Sequence, residues 1–247
     1  MSDAQTTATT APAAAQEGAA GEVLLEVRDG LGRITLNRPR ALNALTQDMV
    51  RAIDAALTDW AADPAVRGVL ILGAGEKGLC AGGDVVSLRS SLLAGRFAEA
   101  EQFFRDEYAM NERIATYPKP YVAFMDGIVL GGGMGVSVHG SHRVATERTR
   151  AGMPETAIGF TPDVGGSFHL ARAPFQAGRH LAATSAHASG SDAVALGLAD
   201  VFGESARLDE LEQALAAAFG ALGSAADAGG DDDAAFAAAD EVLARFA

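Results

Sequence analysis

One cysteine, Cys80, stands in 247 residues. That leaves no disulfide framework and no Cys-rich zinc site, and it fits a reducing compartment, the cytoplasm being the simplest expectation. Basic residues are also scarce: 19 Lys and Arg face 32 Asp and Glu, for a net charge of -13 and a pI near 4.7. Such a field repels phosphate backbones and anionic bilayers, which disfavours nucleic-acid and membrane partners. No apolar stretch reaches the roughly 20 residues needed to span a bilayer. Residues 1–20 have neither the basic start nor the apolar run of a signal peptide and read as a disordered tail. What the chain does have is aliphatic bulk, with 49% of residues hydrophobic, enough for one well-buried domain. That core is expected over 21–203, followed by an Ala-rich acidic helical segment over 204–247.

Periodicity predicts a mixed α/β chain. Val23 to Arg28 and Arg33 to Leu36 read as strands of a hairpin turning at Asp29-Gly30-Leu31-Gly32. Asn37-Arg38-Pro39 breaks the second strand. Thr46 then caps a helix whose apolar positions Met49, Ile53, Ala56, Leu57 and Trp60 recur at helical spacing up to Asp63-Pro64. Gly68 to Leu72 and Tyr121 to Met125 are continuous apolar runs, the pattern of strands buried on both faces. Helices are expected at 99–116, 165–184 and 189–196, the last capped by Ser189, and short strands at Arg143 to Thr146 and Arg150 to Met153. From Ala206 two terminal helices are expected, joined by a flexible link at the Gly-Gly-Asp-Asp-Asp of 229–233.

Two glycine loops carry the chemical signal. Lys77-Gly78-Leu79-Cys80-Ala81-Gly82-Gly83-Asp84 lets backbone amides approach a ligand, with Asp84 able to start a helix. Asp126 to Gly135, ending Gly131-Gly132-Gly133-Met134-Gly135, places successive amides at a helix start, where negative charge is favoured. A single loop of this kind more often serves tight packing. Neither has the spacing of a P-loop or of a Rossmann dinucleotide site.

Taken in order, Asn37-Arg38-Pro39 with Ala41-Leu42-Asn43-Ala44, Cys80-Ala81-Gly82-Gly83-Asp84, Gly131 to Gly135 and Met153-Pro154-Glu155-Thr156 resemble the crotonase (enoyl-CoA hydratase/isomerase) superfamily over roughly residues 22–202. The resemblance implies an α/β spiral of repeated ββα units with short C-terminal helices. It also implies an acyl-CoA substrate whose thioester carbonyl is held by the Gly83 and Gly132 amides, with Ala81, Gly82, Asp84 and Gly131 as neighbouring substrate-binding positions. Coenzyme A enters as part of the substrate; no cofactor or metal is expected. A homo-oligomer built on trimers is implied as well.

Hydratases of this superfamily use two glutamates, and the first falls here on Gly135, which can neither transfer a proton nor orient water. The second survives as Glu155, and a new carboxylate, Asp163, appears in Thr161-Pro162-Asp163-Val164-Gly165-Gly166. With Phe103 to Tyr108 and Gly135 to Gly140, this pattern resembles the 3-hydroxyisobutyryl-CoA hydrolases of valine degradation, in which the positions of Glu107, Gly132, Glu155 and Asp163 contact substrate. Hydrolysis of a short 3-hydroxyacyl-CoA thioester is therefore expected, with Glu155 as nucleophile or as general base, and Asp163 as acceptor for the 3-hydroxyl or as a positioner of water. Enoyl-CoA hydration or isomerisation, and non-catalytic acyl-CoA binding, remain the alternatives.

Plainer roles compete for the same residues. Glu155 can simply begin a helix after Pro154, and Asp163 can simply cap one near Val164. Cys80 reads as a small packed hydrophobe. His139, His142 and His169 lack metal-site spacing and read as structural or surface residues. Arg38 and Lys119, each before a proline, are candidates for the CoA phosphates or for solvated turn positions.

Overall fold

A computed structural model describes residues 21–223 and 232–247, so the expected tail at 1–20 and most of the expected link lie outside the described residues. The chain opens with β1 (Val23–Arg28) and β2 (Leu31–Leu36) as an antiparallel hairpin. Its turn is shorter than expected. Asp29 and Gly30 adopt φ of 49° and 76°, a two-residue turn whose twist matches the strands, and Leu31 and Gly32 join the ladder. Leu31 is buried, which fixes that register.

Helix α1 (Gln47–Ala62) starts at Thr46, whose side chain accepts from the Met49 amide, and it buries all five expected apolar positions together with Val50. β3 (Gly68–Gly73), β4 (Tyr121–Met125), β6 (His142–Thr146) and β9 (Val201–Gly203) add in parallel to give a six-stranded sheet ordered β1-β2-β3-β4-β6-β9. Between them lie α2 (Val85–Leu93), α3 (Phe97–Ala115), β5 (Ile128–Leu130) and α4 (Gly132–Gly135). β7 (Arg150–Gly152) pairs with β5 on one side and with β8 (Ala188–Ser189) on the other in a second, three-stranded sheet. Ser189 caps α7 (Gly190–Ala195) in a reciprocal capping box with Asp192.

The single helix expected over 165–184 is divided into α5 (Gly166–Leu170) and α6 (Ala177–Thr184). Pro174 cannot continue the hydrogen-bond ladder, Ala173 before it is extended, and Phe175 and Gln176 follow at φ of 56° and 61°. β9, three residues long, is too short to leave a periodic signal.

Alternate residues of the central strands bury two different faces. Val69, Ile71, Tyr121, Ala123 and Met125 join one core with α1 and α3, while Leu70, Val122, Phe124 and Val144 join another. That second face is covered by α8 (Leu208–Ala221) and α9 (Asp232–Ala244), through Leu211, Leu215, Phe219, Ala239 and Leu243. The Ala-rich ending therefore packs as a lid on the sheet. Phe219 lies fully buried over Gly68, where a Cβ would meet its ring at 2.5 Å. Phe219→Ala should cost about 3–5 kcal/mol and lower the melting temperature by roughly 10 °C in a thermal scan. A loss under about 2 °C would show the helices to be dispensable.

Candidate active site

The two glycine loops are sewn together by backbone hydrogen bonds. Cys80 N–H donates to Ile128 O (3.0 Å) and Leu130 N–H to Cys80 O (3.0 Å), so the first loop pairs with β5. Gly133 must be glycine for this approach, since a Cβ there would lie 2.3 Å from Cys80 O. The other side is braced by the Asn-Arg-Pro segment. Leu45 N–H donates to Gly82 O and Asp84 N–H to Leu45 O. Asn43, buried at φ 55°, donates through Nδ2 to Ala74 O and Gly78 O and accepts from the Arg38 amide.

This stitching sorts the loop amides. Ala81 N–H is used by Leu42 O, Gly82 N–H by Cys80 Sγ, and Gly131 N–H by Gly152 O. These three shape the wall but have no amide to offer a ligand. By contrast, the N–H groups of Gly83 and Gly132 donate to no described residue. The two glycines adjoin, since a Cβ on Gly132 would sit 3.1 Å from the Gly83 nitrogen.

Two carboxylates flank this pair. Glu107, on the buried face of α3, reaches Gly132, where a Cβ would meet its Oε1 at 2.7 Å. Glu155, at the start of a 3-10 turn (Glu155–Ile158), reaches Gly131, where a Cβ would meet its Oε1 at 2.6 Å. Gly131 stands at φ 52°, so glycine is required there on both counts. Both glutamates are buried, and Glu107 Oε1 and Glu155 Oε2 find no hydrogen-bond partner among the described residues.

Desolvated, and each with one oxygen unpaired, both groups resist ionisation. Burial, reinforced by the charges of Asp163 and Glu155, pushes the Glu107 carboxyl up to about 8. Burial, helped by Asp163, pushes Glu155 up to about 7. Asp163 is raised by burial too, against a hydrogen bond from Tyr108 Oη at 2.8 Å. Its side chain caps no helix, because α5 has Gly165 at its start and no side-chain cap.

Asp163 is followed by Val164 at φ 45°, a strained setting for a β-branched residue. The Val164 carbonyl accepts a 2.7 Å bond from His139 Nε2, and His169 Nε2 in turn lies 3.2 Å from His139 Nδ1. With Nε2 donating to a carbonyl, His139 Nδ1 is the acceptor and His169 Nε2 the donor. Both rings are held neutral by burial, His169 down to about 4. These histidines buttress the Asp163 turn.

Other expected residues serve the scaffold. Asp84 accepts from Ser87 N–H (3.1 Å), capping α2, and from Arg38 Nη2 (3.1 Å), so both its oxygens are engaged away from a ligand. Arg38 also pairs with Glu22 and donates to Ala44 O. Lys119 is buried, with its Nζ bound to the carbonyls of Trp60 and Asp63. Neither cation is available to a CoA phosphate in this arrangement. Cys80 is fully buried and its thiol is pushed up to about 12, the behaviour of a packed hydrophobe.

The enoyl-CoA hydratase/isomerase family matches residues 31–240. The chain belongs to that family. It is 50% identical over 197 residues to a mitochondrial 3-hydroxyisobutyryl-CoA hydrolase of Xenopus tropicalis, covering 80% of this chain and 51% of the relative. It is 47% identical over 199 residues to the enzyme of that name from Homo sapiens, covering 81% and 51%. Among solved structures, a carnitinyl-CoA dehydratase from Mycobacterium thermoresistibile aligns at TM-score 0.80 with 45% identity, covering 91% of this chain and 60% of that one. An enoyl-CoA hydratase from Rhodobacter sphaeroides aligns at 0.77 with 47% identity, covering 79% and 58%. The chain thus spans about half the length of the curated relatives it matches.

Within this family site, sequence reading missed the Tyr108 contact and Asn111, while the structural role read for His139 and His169 takes the form of this brace. Tyr108 meets Asp163 across 55 residues, a contact no local pattern reveals. Asn111 did leave a trace: it interrupts the buried stripe of α3 four residues after Glu107.

The raised Glu107 carboxyl has a stability consequence. Its folded value near 8 lies above its ordinary 4.5, so between these values the folded state binds more protons than the unfolded state. Stability therefore falls as pH rises through that window. Glu107→Gln, which mimics the protonated form, should leave the melting temperature little changed at pH 5 and raise it by roughly 5 °C at pH 8.5. An equal effect at both pH values would show that burial of the charge carries no such penalty.

Proposed function

We propose that this protein hydrolyses short 3-hydroxyacyl-CoA thioesters, of which 3-hydroxyisobutyryl-CoA is the type. The observation that carries the reading is the pair of adjacent, undonated amides, Gly83 and Gly132, with the unpaired Glu155 carboxylate beside them. In this scheme the thioester oxygen lies between the two N–H groups, each worth about 3 kcal/mol as charge develops on that oxygen. Glu155 then acts in one of two ways. It takes a proton from a water whose oxygen bonds to the carbonyl carbon, or it bonds to that carbon itself to give an anhydride that water later opens. Either way the C–S bond breaks as the oxyanion collapses, and CoA leaves as the thiolate.

Asp163, held by Tyr108, accepts the acyl hydroxyl or orients water, and Glu107 closes the wall beside Gly132. Coenzyme A is part of the substrate, and every group the scheme uses belongs to the chain. The names of the curated relatives support the reaction class. So does Gly135, where a Cβ would already press on Val164 Cβ at 2.9 Å and Asn111 Oδ1 at 3.0 Å, leaving no room for a second glutamate of the hydratase kind. Trimer-based self-association, expected from the family, belongs to the same proposal. Light scattering on the purified protein reads it.

The deciding experiment follows thiol release over a panel of acyl-CoA esters. Release of CoA from 3-hydroxyisobutyryl-CoA, ahead of esters lacking the hydroxyl, is expected. Efficient hydration of crotonyl-CoA with no ester cleaved would replace this reading by the hydratase one.

A further inference from the structure

One helical turn beyond Glu107, on the same buried face of α3, lies a polar residue that the scheme above does not use. Asn111 is 5% exposed, and neither its Nδ2 nor its Oδ1 has a hydrogen-bond partner among the described residues. A buried carboxamide with both ends unpaired is costly, and such a group in a folded protein demands an explanation. Asn111 borders a cavity of about 350 Å³ whose walls include Tyr108, Asp163 and Val164. On its other side is Gly135, where even a methyl group would touch Oδ1 at 3.0 Å and Nδ2 at 3.2 Å. Glycine at 135 therefore leaves the end of the amide uncovered.

Resting on the thioesterase reading, we infer that Asn111 is the residue that recognises the hydroxyl of the acyl group. A primary amide presents a donor and an acceptor side by side. A single hydroxyl, which both accepts and donates, satisfies the two together. An alkyl group satisfies neither.

The placement fits. Glu107 abuts Gly132, and four residues along a helix advance about 6 Å. An acyl group with its carbonyl at the Gly132 amide, running along α3, brings a substituent two carbons away up to Asn111. An attacking water is the rival occupant, but the Glu155 carboxyl that would activate it adjoins Gly131, whereas the Asn111 amide adjoins Gly135. Asp163, already bonded to Tyr108, then shares the hydroxyl or holds the turn.

Binding tests this separately from turnover. In a Glu155→Gln background, calorimetric titration compares 3-hydroxyisobutyryl-CoA with isobutyryl-CoA, with and without Asn111→Leu. With Asn111 present, the hydroxylated ester should bind tighter by on the order of ten- to a hundredfold. Asn111→Leu should bring the two within about threefold by weakening only the hydroxylated one. The leucine removes two unpaired polar atoms, so the variant should melt no lower than its parent. Asn111→Ala, which removes both ends of the amide, is the second variant and should also weaken the hydroxylated ester. A preference unchanged by both substitutions, or no preference in the parent, overturns the assignment. If no ester is ever cleaved while the preference behaves as expected, the hydrolytic reading fails and Asn111 keeps its role.

Discussion

Glu155→Gln is expected to lower thiol release by about three orders of magnitude while leaving the melting temperature within a few degrees of the parent. The effect is large because Glu155 is the group of the scheme that forms the new bond or takes the proton, and glutamine does neither. Fold retention is expected because Glu155 Oε2 has no hydrogen-bond partner among the described residues and because glutamine resembles the protonated carboxyl that burial already favours. The pH profile supplies a second reading. With the carboxyl pushed up to about 7, the active carboxylate is lost as pH falls through that value. kcat/KM should therefore rise about tenfold per pH unit below 7 and level off above it. Three carboxyls share the site, so the inflection reports the cluster of Glu107, Glu155 and Asp163 rather than one residue. Activity within tenfold of the parent, or a profile flat from pH 5 to pH 8, would remove Glu155 from the chemistry.

How much of this was legible beforehand follows from the range over which each signal acts. α1 could be read completely, because its cap and its buried stripe are both local. The buried strands β3 and β4 could be read as strands, but not which alternate residue faces which core, since both faces are apolar. The helix break at Ala173-Pro174 was written in the sequence and lost against a strong helical composition on both sides.

At the site, the glycine pattern marked two loops and the family resemblance singled out Gly83 and Gly132 within them, whereas the rejection of Arg38, Lys119 and Asp84 as ligand contacts needed their partners. Those partners are Asp84 and Glu22 for Arg38, two backbone carbonyls for Lys119, and the α2 amide of Ser87 for Asp84. A charged residue in a turn looks the same in sequence whether it meets solvent, a phosphate or its own backbone. The same holds for the Tyr108 and Asp163 pair, which only the fold brings together.

Gly132→Ala isolates the amide pair from the carboxylates. Gly132 begins α4, where alanine is at ease, so the backbone tolerates the change. The added methyl meets three neighbours of two kinds: Glu107 Oε1 at 2.7 Å and Leu45 Cδ1 at 3.2 Å, the movable ends of side chains, and the Gly83 nitrogen at 3.1 Å, which is fixed backbone. Glu107 can swing aside; the methyl stays against the Gly83 nitrogen, close to where the proposed scheme puts the developing oxyanion. kcat should fall by about 10²–10³-fold, the cost of losing one such donor, with a circular dichroism spectrum like that of the parent. Gly21→Ala, with nothing within 4 Å of the new methyl, is the neutral control. Combining Gly132→Ala with Glu107→Ala separates the two contacts. If the damage lies in the blocked amide pair, removing Glu107 restores nothing. If the double variant recovers most of the lost rate, the alanine acted by displacing Glu107, and the carbonyl is bound elsewhere than between Gly83 and Gly132.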